Sequence, residues 1–229
     1  MIIFFKNLVN NLLFKVGYRI SKINNTNELV KIYEYKDYDE YKESQIHFNK
    51  KKINHVWADE ETLLIIINFL KKNINKNDIL GICHGSRNGF EQSFFNKNFT
   101  NSKIIGTDIS DTATNFKDSI VWDFHDENKE WINYFDFVYS NSLDQSFDPK
   151  KALSTWLNQI NKNGFIIIEH SEQHGVIASG KMDPFGVEAN YFPYLISQWF
   201  GHKISIKIIQ SIKKNKANSP VWLFILKKI

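Results

Sequence analysis

Polar residues suited to holding a nucleoside close four successive apolar runs in the middle of the chain. Gly81-Ile-Cys-His-Gly-Ser-Arg-Asn-Gly89 follows the first run, Asp108 ends the second, Asp123-Phe124 the third and Ser140-Asn141 the fourth. Gly85 and Gly89 permit positive φ and a close approach of ligand to backbone. A helix starting near Asn88 then offers unpaired N–H groups to a polar or anionic group. A carboxylate after the second run can accept from both hydroxyls of a ribose, which an amide does less well because half of it donates. A carboxylate after the third can accept from an exocyclic amine, with Phe124 or Trp122 as an apolar face for the base. Beyond the fifth run, Gly164 to Glu169, lie His170, Glu172 and His174. A histidine there is suited to taking a proton near neutral pH, and Asp144 is a carboxylate at the neighbouring run end. Asp108, Asp123 and Asn141 are also ordinary cap and turn residues. Their recurrence at consecutive run ends favours the ligand reading for the two acids.

These groups need a scaffold that brings strand ends together. The runs Ile79–Cys83, Lys103–Asp108, Ser119–His125, Tyr134–Asn141 and Gly164–His170 read as strands. Helical segments separate them, most clearly Pro149 to Ile160, with Pro at its start and Leu153, Trp156, Leu157 and Ile160 on one side. Leu63, Leu64, Ile66, Ile67 and Leu70 mark another helix ahead of the first strand. Such alternation predicts a parallel sheet covered on both faces, with ligands outside the carboxyl ends of its strands. The tail differs: Ile204–Ile212 and Val221–Leu226 have no room for a helix between them, so they pair antiparallel. Ser171 to Phe185 is long for a loop and is expected to cover the acceptor side, with Asp183-Pro-Phe-Gly186 fixing its return into the next helix.

The 229 residues hold 42% hydrophobic and 15% aromatic residues, enough for one sizeable core. The formal charge of +4 is mild, and the lysines are interleaved with Asn and Ile, so no nucleic-acid partner is expected. The single cysteine, Cys83, excludes an internal disulfide and suits a reducing, cytoplasmic setting. It reads as a buried small hydrophobe. Within residues 1–20, Phe5, Val9, Leu12, Leu13 and Val16 fall at helical spacing, and Lys6, Asn7 and Lys15 break the run too often for a membrane span. Peripheral contact with a membrane and packing on the chain's own domain are both open readings of that helix. Residues 1–56 read as an N-terminal extension and 57–229 as one domain, with the oligomeric state open.

From about residue 75 onward the pattern resembles the class I S-adenosylmethionine-dependent methyltransferases, most of all those acting on small molecules and sugars. The resemblance implies a Rossmann-like doubly wound α/β sheet of about seven strands with the last antiparallel, S-adenosyl-L-methionine as cofactor, and a small-molecule or sugar acceptor. It implies cofactor contacts at Gly81, His84, Gly85, Ser86, Arg87 and Gly89 of the turn. Further contacts would come from Asp108 and Ile109 at the ribose, Asp123 and Phe124 at the adenine, and Asn141 at the fourth strand end. Two departures from the family are plain. Gly81 stands where the family usually has an acid, and Cys83 and Arg87 stand where it has glycines. Arg87 reads either as a partner of the cofactor's carboxylate or as a solvated loop residue.

Methyl transfer to a hydroxyl or a charged amine needs a proton acceptor. The candidates are His170 first, then His174 and Asp144; their spacing in a loop gives no expectation of a metal. A non-catalytic cofactor-binding or assembly module is the second reading, supported by the unusual first motif. An NAD-dependent oxidoreductase is the third, and the C-terminal antiparallel pair and Asp123 argue against it.

Overall fold

The computed structural model describes residues 28–211 and 219–229; the helix expected within 1–20 lies outside the described residues. In chain order the elements are β1 (Val30–Ile32), α1 (Tyr38–Lys51), α2 (Glu60–Asn73), β2 (Asp78–His84), α3 (Phe90–Asn98), β3 (Asn101–Asp108), β4 (Ser119–Val121) and β5 (Phe135–Ser140). They continue with α4 (Pro149–Gln159), β6 (Ile160–Ser171), β7 (Phe185–Val187), α5 (Phe192–Phe200), β8 (Ile204–Ser211) and β9 (Val221–Lys228).

Seven strands form one sheet in the order β4-β3-β2-β5-β6-β9-β8. The pairs from β4 to β6 are parallel, with Gly81 opposite Ile104 on one side and Phe137 on the other. β9 runs antiparallel to both β6 and β8, as the short tail connection requires. An antiparallel strand between two others is not the arrangement of a dinucleotide-binding Rossmann sheet. The chain leaves β2 toward β3 and β4 and then returns to β5 on the opposite side. A crevice therefore opens between the carboxyl ends of β2 and β5.

Both faces of the sheet are covered. Ile82, Val138, Ile166 and Phe224 pack under α4 and α5 with Leu153, Trp156 and Phe192. Cys83, Phe137, Tyr139 and Ile167 pack under α2 and α3 with Leu63, Ile66, Ile67, Leu70 and Phe95. Near-continuous apolar strands are what burial on both faces demands. α1, α2 and α4 start where a polar residue satisfies a free N–H group: Asp37 accepts from Glu40 N (2.9 Å), Asp59 from Glu61 N (3.2 Å) and Asp148 from Lys151 N (2.9 Å). The α3 start differs, since Gly89 adopts φ 75° and offers no side-chain cap.

Three boundaries depart from the sequence expectation. β4 ends at Val121, two residues before Asp123, because Asp123 Oδ1 accepts from His125 N (2.9 Å) and turns the chain. The stretch after β6 is two 3₁₀ turns, Glu172–His174 and Val176–Ala178, and its return is the strand β7 ahead of the helix. β7 pairs antiparallel with β1, Ile32 opposite Phe185, so the described part of the N-terminal stretch is tied to the segment after β6.

A Cβ built on Gly81 would overlap the ring of Phe137 on the adjacent strand. That close approach, and not backbone freedom, requires glycine there. Gly81→Ala is expected to destabilise the protein by ~1–3 kcal/mol through overpacking. Denaturant unfolding at fixed pH measures this; an unchanged midpoint would contradict the packing argument.

Candidate functional site

The turn after β2 is built by backbone geometry. Gly85 (φ 71°), Arg87 (φ 45°) and Gly89 (φ 75°) all lie in the left-handed region. For Arg87 that conformation is costly, and three interactions hold it: Ser86 N–H donates to Thr107 O (2.9 Å), Arg87 N–H to Asp108 Oδ2 (3.0 Å), and Arg87 Nη1 to His55 O (3.0 Å). Asp108 Oδ1 accepts from Ser110 N–H (2.9 Å). Burial raises the Asp108 pKa above the usual carboxyl value, and the two backbone donors only partly offset it. Each oxygen keeps a lone-pair direction open.

Two adjoining cavities meet at this turn, sharing Gly85, Arg87, Lys52, Gln145 and Met182. The first, a narrow cleft, is lined by Asp108, Ile109, Asp123 and Phe124 from the strand ends and roofed by Tyr41, Gln45, Phe48 and Asn49 of α1. The second, about 1130 Å³ with its open mouth, is lined by Ser86, Glu91, Asn141, Asp144, His174 and Asp183, with Lys51, Lys52, His55 and Trp57 toward the outside. Most of the residues expected at a cofactor site thus surround one continuous space. Gly81, His84 and Gly89 do not line it. His84 faces the α4 side instead, stacked on Trp156 (5.0 Å), with Nδ1 on Thr107 Oγ1 and Nε2 on Gln159 Oε1 (both 2.8 Å). It braces the turn from behind.

Asp123 is held tightly. Its Oδ1 accepts from His125 N–H (2.9 Å) and meets His125 Nδ1 at 2.6 Å, while Oδ2 accepts from the Tyr38 hydroxyl (2.8 Å). Burial pushes its carboxyl up, and His125 and Tyr38 together more than offset this, leaving it below the ordinary value. His125 Nε2 in turn meets Ser146 Oγ (2.6 Å). Asp123 therefore stays charged at the cavity edge, with lone-pair capacity remaining on Oδ2. Asn141 Nδ2 donates to Glu91 Oε1 (3.3 Å), and its carbonyl oxygen accepts from Ser142 Oγ (3.1 Å).

The proton-transfer candidates separate clearly. His170 points into the interior, with its ring among Phe192, Phe224 and Trp222, and it lines a small void behind the open cavity. Burial lowers its pKa to about 3. His174 and Asp144 do line the larger cavity. Ser171 N–H donates to His174 Nδ1 (3.4 Å), which puts the ring's proton on Nε2, 3.7 Å from Asp144 Oδ2. Burial lowers His174 to about 4 and raises Asp144 to about 7. Asp144 Oδ1 is buried and has no hydrogen-bond partner. Asp183 is raised to about 6, by burial and then by the charge of Asp144. Among the described residues no group of three or more His, Cys, Asp or Glu is arranged to hold a metal ion, and no helix is long and apolar enough to cross a membrane. Cys83 is buried, its thiol pushed up by that burial.

The α1 residues that roof the first cavity were invisible in the sequence as a site, as were Glu91 and Gln145; Met182 and Asp183 belong to Ser171–Phe185, the segment expected on the acceptor side. Tyr38, Tyr41, Gln45 and Lys52 do repeat at near-helical intervals. Their polarity hides the stripe, because periodicity is read from apolar residues.

No protein-family model matches the sequence, and no curated protein aligns with it. Solved structures do. The Burkholderia thailandensis 1,6-didemethyltoxoflavin-N1-methyltransferase, solved with 1,6-didemethyltoxoflavin and S-adenosylhomocysteine, superposes with TM-score 0.64 at 10% identity over 90% of this chain and 98% of that one. The plantazolicin methyltransferase BpumL, with S-adenosylhomocysteine and a desmethyl substrate analogue, gives 0.63 at 12% identity over 83% and 96%. The Streptomyces coelicolor A3(2) geranyl diphosphate C-methyltransferase gives 0.59 at 9% identity over 82% and 98%. The fold is that of the class I S-adenosylmethionine-dependent methyltransferases.

The acid and the histidines leave opposite marks on stability. The folded protein keeps the Asp144 proton up to about pH 7, while the unfolded chain releases it near the ordinary carboxyl value of 3.8. Its contribution is therefore lost as pH rises through that window. His170 and His174 bind protons in the unfolded chain below about 6.5 but resist them when folded, so their stability is lost as pH falls. Asp144→Asn is expected to gain stability over wild type progressively from about pH 4 to about pH 7 and to hold that gain above it. Urea midpoints across that range measure it; a constant difference would refute the buried, uncompensated carboxyl.

Proposed function

We propose that the protein transfers the methyl group of S-adenosylmethionine to a hydroxyl of a small polar acceptor of the sugar class. The observation that carries this is the pair of cavities meeting at the turn after β2, one lined by the two strand-end acids and Phe124 and the other walled by proton-transfer groups. The fit rests on the chain's own atoms. Gly85 leaves a cradle that a Cβ would fill against Ser142, Asp108 accepts from ribose hydroxyls, Asp123 Oδ2 accepts from an exocyclic amine beside Tyr38, and Phe124 supplies the apolar face. Arg87 lines both compartments, and beyond the bond from Nη1 to the His55 carbonyl its guanidinium keeps donors for a ligand carboxylate.

When bound, S-adenosylmethionine supplies an electrophilic methyl group on a sulfonium. The protein's contribution is to hold the acceptor close and aligned and to take its proton. Asp144 is the better-suited acceptor of that proton. Its Oδ1 is free of partners, it titrates near neutrality, and the Nε2 proton of His174 faces its other oxygen. His174 orients Asp144, and His170 packs the layer beneath.

Trp57 offers a ring at the wall, with Asp144 and Asp183 as acceptors for hydroxyl groups and Lys51, Lys52 and His55 at the mouth. A polyhydroxylated acceptor suits that mixture. The acceptors named for two neighbours of like fold, a toxoflavin precursor and geranyl diphosphate, are also small molecules. The segment after β6 leaves the larger cavity open, which favours an enzyme over a module whose acceptor side is filled.

Titration calorimetry with S-adenosylhomocysteine tests the reading. The intact protein is expected to bind, and Asp108→Asn to weaken binding by roughly 10- to 100-fold, the worth of a hydrogen bond to a charged group. Absence of binding by the intact protein would overturn the assignment.

A further inference from the structure

We propose that Glu91 receives the α-ammonium of the bound cofactor, replacing the strand acid that this chain lacks at position 81. The inference rests on the methyltransferase reading and assigns a role that the first motif leaves empty.

Position 81 cannot supply the acid, because Phe137 occupies the space its side chain would need. Glu91 approaches the same region from the first turn of α3, two residues after Gly89. It packs on the sheet face that carries Gly81 and Cys83, and its charge is felt by the Cys83 thiol, the Tyr139 hydroxyl and Glu169. Glu91 is among the residues lining the larger cavity, with Ser86, Arg87 and Asn141, next to the glycine turn. Oε1 is fixed by the Asn141 amide (3.3 Å). Oε2 is buried and has no hydrogen-bond partner.

A buried carboxyl of this kind is expensive unless something answers it. The chain does not. Among the described residues Glu91 forms no ion pair, and the guanidinium of Arg87 is turned to the His55 carbonyl. Its other titratable neighbours, Asp108, Cys83, Tyr139 and Glu169, are acids. Burial raises Glu91 to about 7, so without ligand near neutral pH it exchanges between a proton and a charge. A cationic amine at the turn would supply both the missing donor and the missing charge. The neighbouring Arg87 and the N-terminus of α3 favour an anion beside it, so the pair suits a zwitterion with both groups on one carbon.

The test compares three ligands by calorimetry: S-adenosylhomocysteine, its analogue lacking the amino group, and 5′-methylthioadenosine. Wild type is expected to bind S-adenosylhomocysteine at least tenfold more tightly than the deaminated analogue, a comparison that needs no variant. Glu91→Gln, which keeps the shape and an acceptor for Asn141, is expected to lose that preference while holding the other two ligands within about twofold. At pH 6.5, S-adenosylhomocysteine should release more protons from wild type than from Glu91→Gln, read from two buffers of different ionisation enthalpy. Equal affinity of wild type for the aminated and deaminated ligands would overturn the assignment, as would an equal loss of all three in the variant. If wild type binds none of them, the methyltransferase reading falls and takes this inference with it. If it binds all three and the variant changes nothing, only the role of Glu91 falls.

Discussion

The carboxylate of Asp108 is the joint on which the site turns. It ends β3, yet one oxygen holds the N–H of Arg87 on the turn after β2 and the other holds the N–H of Ser110 on its own side. Two strand ends are thereby locked in one geometry by a group that burial makes reluctant to ionise. Without the bond to Arg87, a non-glycine residue at φ 45° would relax toward an ordinary conformation. The turn would widen and the shared wall between the two cavities would move. Structure and ligand recognition thus draw on the same two oxygens, which explains why an acid and not an amide stands there: both oxygens must accept.

Desolvation dominates hydrogen bonding around the carboxyl rim. Asp144, Glu91 and Glu169 are each raised to about 7 by burial, and each has an oxygen without a partner. Glu169 has the best internal answer, a 2.7 Å bond from the Tyr139 hydroxyl, and still titrates as high as the others. Such groups cost stability, and a protein retains them where a ligand repays the cost. Asp123 shows the contrast. Less deeply buried, and with His125 and Tyr38 on its oxygens, it stays below the ordinary carboxyl value. The acids that already have partners define the shape of the site, and the acids that lack them mark where polar chemistry is missing.

Much of this was readable in the chain. Apolar strands ending in acids, Pro149 at a helix start and the short tail connection fixed the sheet and its antiparallel edge before any coordinates. The failures have physical causes. His170 looked like a rim residue because it follows Glu169, but side chains alternate along a strand, and His170 shares its parity with Ile166 and Ile168, which face the α4 and α5 layer. His174 reaches the cavity because the 3₁₀ turn after Ser171 breaks that alternation. α1 escaped notice because its inward stripe is Tyr41, Ser44, Gln45 and Asn49, whose burial is polar and so leaves no hydrophobic period. An acid in the first turn of α3 looks like a routine complement to the helix dipole, and nothing in the sequence separates Glu91 from that role.

The polar inner face of α1 also explains how the roof is attached. An apolar helix would stick to the sheet for area alone; this one is held by directed bonds, to the strand ends through Tyr38 on Asp123, Asn49 on Thr112 and Lys50 on Asp111, and to the segment after β6. Ser44 Oγ and the Tyr35 hydroxyl donate to Lys181 O, Gln45 Nε2 donates to Met182 O, and Lys181 Nζ pairs with Glu40 at 2.7 Å. β1 and β7 extend the same junction through backbone bonds. The partners on the far side, Met182 and Asp183, line the larger cavity, while Tyr41, Gln45 and Asn49 cover the smaller one. One clasp therefore spans both compartments. Because these polar contacts are part-buried or exposed and Tyr41 is the one large apolar side chain the helix buries, the cover parts from the sheet at smaller cost than the core beneath it. A site that must admit two ligands and then exclude water needs that inequality: a rigid floor set by Asp108 and the β2 turn, under a cover whose bonds are exchangeable with solvent.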